Sequence, residues 1–394
     1  MKALSVCRWM ERSVSHVLSG RRESLVIYLD NAATTMIKPT AVSRAVLNAM
    51  QTMASLGRGA HEPAMRAAKT VFDCRMEAAG LFNVPEPEQI VFTMNATHGL
   101  NIAINSLVHS GTKVVVSGYE HNSVTRPLAA RGADIHVASS PLFDSEGMLA
   151  AFEKELPWAE IAVCTHVSNV FGFILPIYEI AELCRNYQVP LIVDASQSAG
   201  VLELDYMRLN AEYIAMPGHK GLFGPQGTGI LICAKACEPL LSGGSGTDSI
   251  AQHMPEYLPD RLEAGTHNVC GIAGLLEGIR YVRRKGTEEI SEHDTRLLRR
   301  MTESLKEIDS LELYTKDCIC QSGVLSVRSS KLNCEDMAAS LSENGICVRT
   351  GLHCSPYAHR SAGTLDTGTV RFSFSPFNTE TEVDACCQFI KDLL

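Results

Sequence analysis

The 394-residue chain has no apolar run approaching the ~18–20 residues needed to span a bilayer. No block of five like charges stands in it, and no internal repeat or low-complexity tract interrupts it. The first lack argues against membrane insertion. The second removes the concentrated basic face that nucleic-acid binding needs, and a net charge of −9 points the same way. Cysteine is plentiful, with fourteen residues, but its metal spacing is missing. Cys233 and Cys237, Cys318 and Cys320, and the adjacent Cys386 and Cys387 do not form the paired CxxC of a zinc site. Cys164, Cys233 and Cys270 lie in apolar stretches, where cysteine acts as a small hydrophobe. A chain this long needs no disulfide staple, so reduced thiols in a cytoplasm are expected.

What is present reads as a soluble globular protein, 45% apolar and 20% charged. Residues 1–24 stand apart: Arg8, Arg12, Arg21 and Arg22 lie among serines, without the apolar core of a signal peptide. Glu11 and Glu23 weaken a transit-peptide reading, so a disordered tail or an early start codon is expected there. From Leu25 onward, short apolar runs alternate with helical patterns. Strands are predicted at 89–93, 113–117, 161–165, 190–194, 213–216 and 229–233. Several are continuous apolar runs, as in strands covered on both faces. Helices are predicted at 64–81, 97–108, 146–155 and 177–187. This alternation argues for a mainly parallel sheet. After about Gly265 the pattern changes to long helices (272–285, 289–308) and strands near 323–327 and 369–374. The expected organisation is a tail (1–24), a large α/β domain (25–265) and a smaller α+β domain (266–394). The first residues of the large domain are open to packing on the small one.

Gly218-His219-Lys220-Gly221 opens a glycine-rich stretch. A lysine there is by itself more often an exposed loop residue. Other positions change that. Asp194 ends the apolar run Leu191-Ile192-Val193, and a carboxylate at such a strand end points into the crevice where open α/β sheets bind ligands. Burying it unpaired would cost several kcal/mol, and a protonated pyridine nitrogen is a suitable partner; a helix N-cap is the plainer alternative. Gln197 follows three residues later. Asn95-Ala96-Thr97 opens a helix after a strand, a place suited to phosphate, with a plain capping threonine as the alternative. His121 follows another strand, where an imidazole can lie flat on an aromatic ring. Ser168-Asn169 follows a fourth.

On these residues, from Tyr28-Leu29-Asp30-Asn31-Ala32-Ala33-Thr34-Thr35 to Asn378-Thr379-Glu380, the sequence resembles the class V aminotransferase superfamily. Within it, the sequence is similar to the cysteine desulfurase and selenocysteine lyase families. The resemblance implies a fold type I pyridoxal 5′-phosphate (PLP) enzyme. Lys220 would carry the cofactor, Asp194 would hold the pyridine nitrogen and His121 would stack on the ring. Asn169 and Gln197 would meet the ring oxygen; Ala96, Thr97 and His219 would hold the phosphate. Thr266 would reach the cofactor of a partner subunit, which implies a homodimer. Where the family often has serine or threonine two residues before His219, this chain has Pro217, so one phosphate contact must be lost or replaced.

Arg349-Thr350-Gly351-Leu352-His353-Cys354 resembles the catalytic-cysteine segment. Such a thiol works as a thiolate, favoured beside positive charge, and Arg349 and His353 are close in sequence. Arg371 matches the residue that clamps the substrate carboxylate, a task for which a planar guanidinium is suited; Asn31, Asn169 and Arg349 complete the implied substrate set. Cleavage of the C–S or C–Se bond of cysteine or selenocysteine would give alanine plus a persulfide or selenide, with an acceptor protein as a possible partner. The alternatives are a β-lyase on cystine, selenocystine or a D-amino acid, an aminotransferase, or a non-enzymatic sulfur-transfer scaffold.

Overall fold

The structure is a computed structural model describing residues 26–57, 59–247, 249–316 and 320–394. The reading of residues 1–24 as a tail lies outside the described residues. The chain enters on β1 (Ile27–Tyr28), followed by helices Thr40–Thr52 and Glu62–Phe82. Seven strands then build the main sheet. They are β2 (Ile90–Thr93), β3 (Lys113–Ser117), β4 (Asp134–Ala138), β5 (Ile161–Thr165), β6 (Leu191–Asp194), β7 (Tyr213–Pro217) and β8 (Gly229–Cys233). Their order is β2-β8-β7-β6-β5-β3-β4. β8 runs antiparallel to both neighbours, and every other pairing is parallel.

The six strands predicted for this sheet are present, because continuous apolar runs such as Ile161–Thr165 are buried on both faces. β4 was not foreseen. It lies at the sheet edge and only Ala138 of its five residues is buried, so it carries no apolar run to read. Helix Asn122–Ala130 was also missed, since it is short and contains Pro127. Helix Val269–Lys285 packs against the helices Thr40–Thr52 and Glu62–Phe82. Its residues Val269, Ile272, Leu275 and Ile279 join the core beneath the main sheet. The contact with the loop after β7 is close: a Cβ on Gly278 would stand 2.1 Å from the Leu222 carbonyl oxygen. That backbone cannot yield as a side chain could, so the helix fixes the course of the segment that follows Lys220.

The C-terminal part adds β9 (Leu311–Tyr314), β10 (Val324–Ser329), β11 (Ile346–Cys347), β12 (Arg349–Gly351) and β13 (Thr369–Ser373). β12-β13-β10-β9 form an antiparallel sheet. Its core includes Leu297, Met301, Leu325, Phe372 and Ile390, together with Leu29 from the start of the chain. β1 pairs in parallel with β11, and Asp30 bridges to Ser373. The N-terminal turn is thus stitched to the C-terminal sheet.

Among the described residues, eleven cysteines are free thiols, most of them buried as small apolar groups. Cys320 departs from the reduced-thiol expectation: it is disulfide-bonded. It is half-buried, whereas Cys164 and Cys233 are sealed in the core. Among the described residues, no three His, Cys, Asp or Glu side chains group as metal ligands, and no helix is long and apolar enough to cross a membrane.

Candidate active site

A cleft opens at the C-terminal ends of the parallel strands, where the crevice of an open α/β sheet lies. Asp194 ends β6, is buried, and accepts a hydrogen bond from the Ser196 N–H at 2.9 Å. Lys220 follows β7 and lines the same cleft. Burial lowers its pKa to about 8; Asp194 opposes this, while Arg371 and Arg349 reinforce it. Desolvation of the ammonium outweighs the nearby carboxylate, so about a tenth of the amine is neutral at pH 7, far more than for an ordinary lysine.

His121 caps helix Asn122–Ala130. Its Nδ1 accepts the Ser123 N–H at 3.0 Å and lies 2.8 Å from Ser123 Oγ. That leaves Nε2 to carry the ring proton. Burial first, then Lys220, Arg349 and Arg126, push its pKa down to about 4 against the pull of Asp194. His219 lies 3.0 Å from the Thr34 hydroxyl through Nδ1, and burial with Lys220 and Lys38 also brings it to about 4. Both rings are neutral at pH 7. Ala96 and Thr97 form the first turn of helix Ala96–Leu107 and line the cleft. Asn95 supplies the cap, accepting the His98 N–H at 2.9 Å. The capping alternative for Thr97 is therefore removed. Pro217 lies on the lining too, with the hydroxyl-bearing Ser123 and Ser196.

Asn169 and Gln197 line the cleft while anchoring its walls. Asn169 Nδ2 donates to the His353 carbonyl at 2.9 Å, and its Oδ1 accepts from Ser355 Oγ at 2.6 Å. Gln197 Nε2 donates to the Ala32 carbonyl at 3.0 Å. Asn169 thereby holds the loop that carries Cys354. His353 and Cys354 have φ values of 50° and 57°, left-handed conformations costing ~1–2 kcal/mol each for non-glycine residues. The Asn122 N–H to Cys354 carbonyl bond at 2.8 Å and the Asn169 bonds offset that strain. Cys354 is exposed, and its Sγ lies 4.0 Å from Arg349 Nη2. It lines an open groove with Thr97, His121 and Ser123, three residues that also wall the Lys220 cleft.

Arg371 is buried. Its Nη2 donates to Asp30 Oδ1 at 2.6 Å and its Nη1 to the Asn169 carbonyl at 2.9 Å, while Nε has no partner. Asn31 Nδ2 donates to Ser373 O at 2.9 Å and Asn378 Oδ1 at 3.1 Å, fixing the N-terminal turn. Thr266 is not brought to this cleft within one chain; it lines another, with Gly227 and His267. The neighbouring Glu263 is buried, paired with Arg75, 3.2 Å from His267 Nε2, and bonded to the Phe92 N–H at 2.6 Å. The sequence reading missed Asp30, whose partner is 341 positions away, so no local spacing reveals the pair. It also missed Glu120, a buried carboxyl raised to about 8 by desolvation.

The buried imidazoles carry a stability consequence. His166 and His359 are held at about 4 in the fold, by burial, against 6.5 for the unfolded side chain. A lowered folded pKa means that the unfolded chain takes up the extra protons. The stability is therefore fully present above pH 6.5 and is lost as pH falls toward 4. Each buried ring accounts for on the order of 3 kcal/mol at about 1.4 kcal/mol per pH unit. Melting curves should show a steep fall in Tm between pH 6.5 and 4 that flattens when His166 and His359 are replaced by Gln; an unchanged profile would refute the assignment.

Comparison with known proteins agrees with this geometry. The family model described as "Aminotransferase class-V" matches residues 27–386. A probable cysteine desulfurase of Methanothermobacter thermautotrophicus is 33% identical over 383 residues, covering 93% of this chain and 94% of the relative. The apo cysteine desulfurase of Thermococcus onnurineus NA1 superposes with TM-score 0.88 at 31% identity, over 93% of this chain and 94% of that one. The Escherichia coli cysteine desulfurase CsdA, in an S-sulfonic acid form, superposes with TM-score 0.82 at 26% identity, over 93% and 94%. The mainly parallel sheet with a smaller antiparallel companion is thus the fold of these enzymes, and the chain belongs to the class-V aminotransferase family, in its cysteine desulfurase branch.

Proposed function

We propose that this chain carries PLP on Lys220 and cleaves the C–S bond of L-cysteine, giving alanine plus a Cys354 persulfide, or the C–Se bond of selenocysteine, giving alanine plus selenium that an external thiol reduces to selenide. The observation that carries the reading is a lysine amine of lowered pKa, set against buried Asp194 in a cleft that shares walls with the Cys354 groove. The donor set suits the cofactor. The first-turn N–H groups of Ala96 and Thr97 suit its phosphate, with His219 beside them. Asp194 would hold the pyridine nitrogen and His121, neutral through its Nδ1 cap, the ring face. Asn169 and Gln197 would meet the ring oxygen with the N–H groups not committed to the walls. Ser123 and Ser196 offer hydroxyls in place of the one that Pro217 lacks. When bound, the cofactor supplies the electron sink that acidifies the substrate Cα.

The protein residues supply the rest. Arg371 would meet the substrate carboxylate by giving up its bond to Asp30, because its Nε is buried and both Nη groups are committed, one to Asp30 and one to the Asn169 carbonyl. Arg349 would complete that end, with Asn31 fixing the turn beside it through its bonds to Ser373 and Asn378. Lys220 Nζ, as a free amine, takes the Cα proton. Cys354 Sγ takes the sulfur, so that cysteine plus the Cys354 thiol become alanine plus a Cys354 persulfide, with atoms and protons balanced. The exposed position of Cys354 favours this branch over an aminotransferase, because sulfur must be both received and passed on to an acceptor protein. The cytoplasm would keep that thiol reduced. Thr266, remote from Lys220 in one chain, supports a homodimer in which it reaches the partner subunit's cleft.

The deciding measurement is a borohydride reduction of the purified holoprotein followed by peptide mass spectrometry. A pyridoxyl-phosphate adduct on Lys220 is expected. No adduct, or one confined to another lysine, ends the reading.

A further inference from the structure

Next to the cleft described above, and sharing Gln197 and Lys220 with it, lies a second void of about 40 Å³, between the N-terminal turn, the Lys220 loop and the C-terminal sheet. Asp294, from helix Thr287–Leu305, lines it. This side chain is 4% exposed, and its Oδ1 has no hydrogen-bond partner. Gly323 lets it approach closely, since a Cβ there would stand 2.6 Å from the Asp294 Cβ. A buried carboxyl without a partner costs free energy that a well-packed apolar residue would not, and burial holds its pKa well above the ordinary carboxylate range.

The rest of the lining is rich in oxygen acceptors. Asn31 donates its amide N–H groups to Ser373 O at 2.9 Å and Asn378 Oδ1 at 3.1 Å, which leaves its carbonyl oxygen as an acceptor. Gln197 donates to Ala32 O at 3.0 Å and likewise retains Oε1. Ser322 and Ser375 add hydroxyls. Lys220 is the one other ionisable group on this lining. Carboxylate, amide carbonyl and hydroxyl oxygens are ligands for hard cations. A single carboxylate is charge-matched to a monovalent ion, and the void admits a guest of about one or two waters.

We propose that this void is a binding site for a small monovalent cation, K⁺, Na⁺ or ammonium, held by Asp294 together with the carbonyl oxygens of Asn31 and Gln197. The ion takes the place of the proton that burial favours on this carboxyl. It also ties helix Thr287–Leu305 to the turn and loop that flank Lys220, so it braces the two sheets against each other.

Two measurements on the full chain test it. Crystals soaked in RbCl should show an anomalous peak beside the Asp294 carboxylate, absent from Asp294→Asn. In matched chloride buffers, K⁺, Na⁺ or ammonium should raise the wild-type Tm by about 2–3 °C over tetramethylammonium, which is too large for the void. Asp294→Asn, which keeps the shape and removes the charge, should melt alike in all four salts. A cation dependence that survives in Asp294→Asn, no dependence in the wild type, or no rubidium peak overturns the site. The Lys220 adduct is scored separately, so a failure here leaves the cofactor reading standing and a failure there leaves this one standing.

Discussion

Lys220→Ala should turn over neither cysteine nor selenocysteine. Loss of a positioned general base alone costs ~10²–10⁴-fold, and the same substitution removes the covalent anchor of the cofactor, so alanine release should fall below detection. Circular dichroism and melting should stay near wild type, because the side chain is only half-buried and the loop is braced by the helix that contains Gly278. A separate signature follows from the amine in the cofactor-free protein. With its pKa at about 8, the neutral form that attacks an aldehyde grows as pH rises toward that value. The rate at which cofactor-free protein captures PLP should climb from pH 6 and level off above about 8. A rate still rising in step with hydroxide beyond pH 9 would show an ordinary lysine. Residual alanine formation in the variant at more than about 1% of wild type would remove Lys220 from the chemistry.

Cys354→Ala should separate sulfur from selenium. With L-cysteine the leaving sulfur needs an acceptor, and Cys354 Sγ at the cleft mouth, with a guanidinium 4.0 Å away, is the candidate. A drop in alanine formation of more than ~100-fold is expected, about 2.7 kcal/mol of barrier. A selenol is more acidic and leaves more readily, so selenocysteine cleavage should persist within ~10-fold of wild type, a difference of about 1.4 kcal/mol. Parallel assays of alanine, sulfide and selenide decide it. Undiminished desulfuration by the variant would reduce Cys354 to an incidental thiol. Equal loss with both substrates would show that the residue shapes the site rather than receiving sulfur.

Much of this was legible in the sequence because the relevant signals are local. Continuous apolar runs predicted β3, β5 and β8 with their observed ends, and Asp194 lies where the run Leu191-Ile192-Val193 stops. The lysine, both histidines and the first-turn threonine follow such strands closely and meet at one edge. Edge strand β4 was hidden because solvent-facing positions carry no hydrophobic period. Helix Asn122–Ala130 was hidden because its cap is a histidine, outside the usual Ser, Thr, Asp and Asn set. Capping also explains that ring's protonation state, something spacing does not show. Contacts between distant positions were out of reach in principle: Asp30 with Arg371, Asn169 with the 353–355 loop, and Asp294 against Gly323.

The stitching of β1 to β11 and of Asp30 to Arg371 sets a timetable for the ribosome. A nascent chain can complete the main sheet soon after residue 233 emerges. Its carboxylate-binding end, however, waits for an arginine more than a hundred residues later. A chain stopped early would hold Asp194 and Lys220 without the helix that braces their loop and without the arginine proposed to meet the substrate.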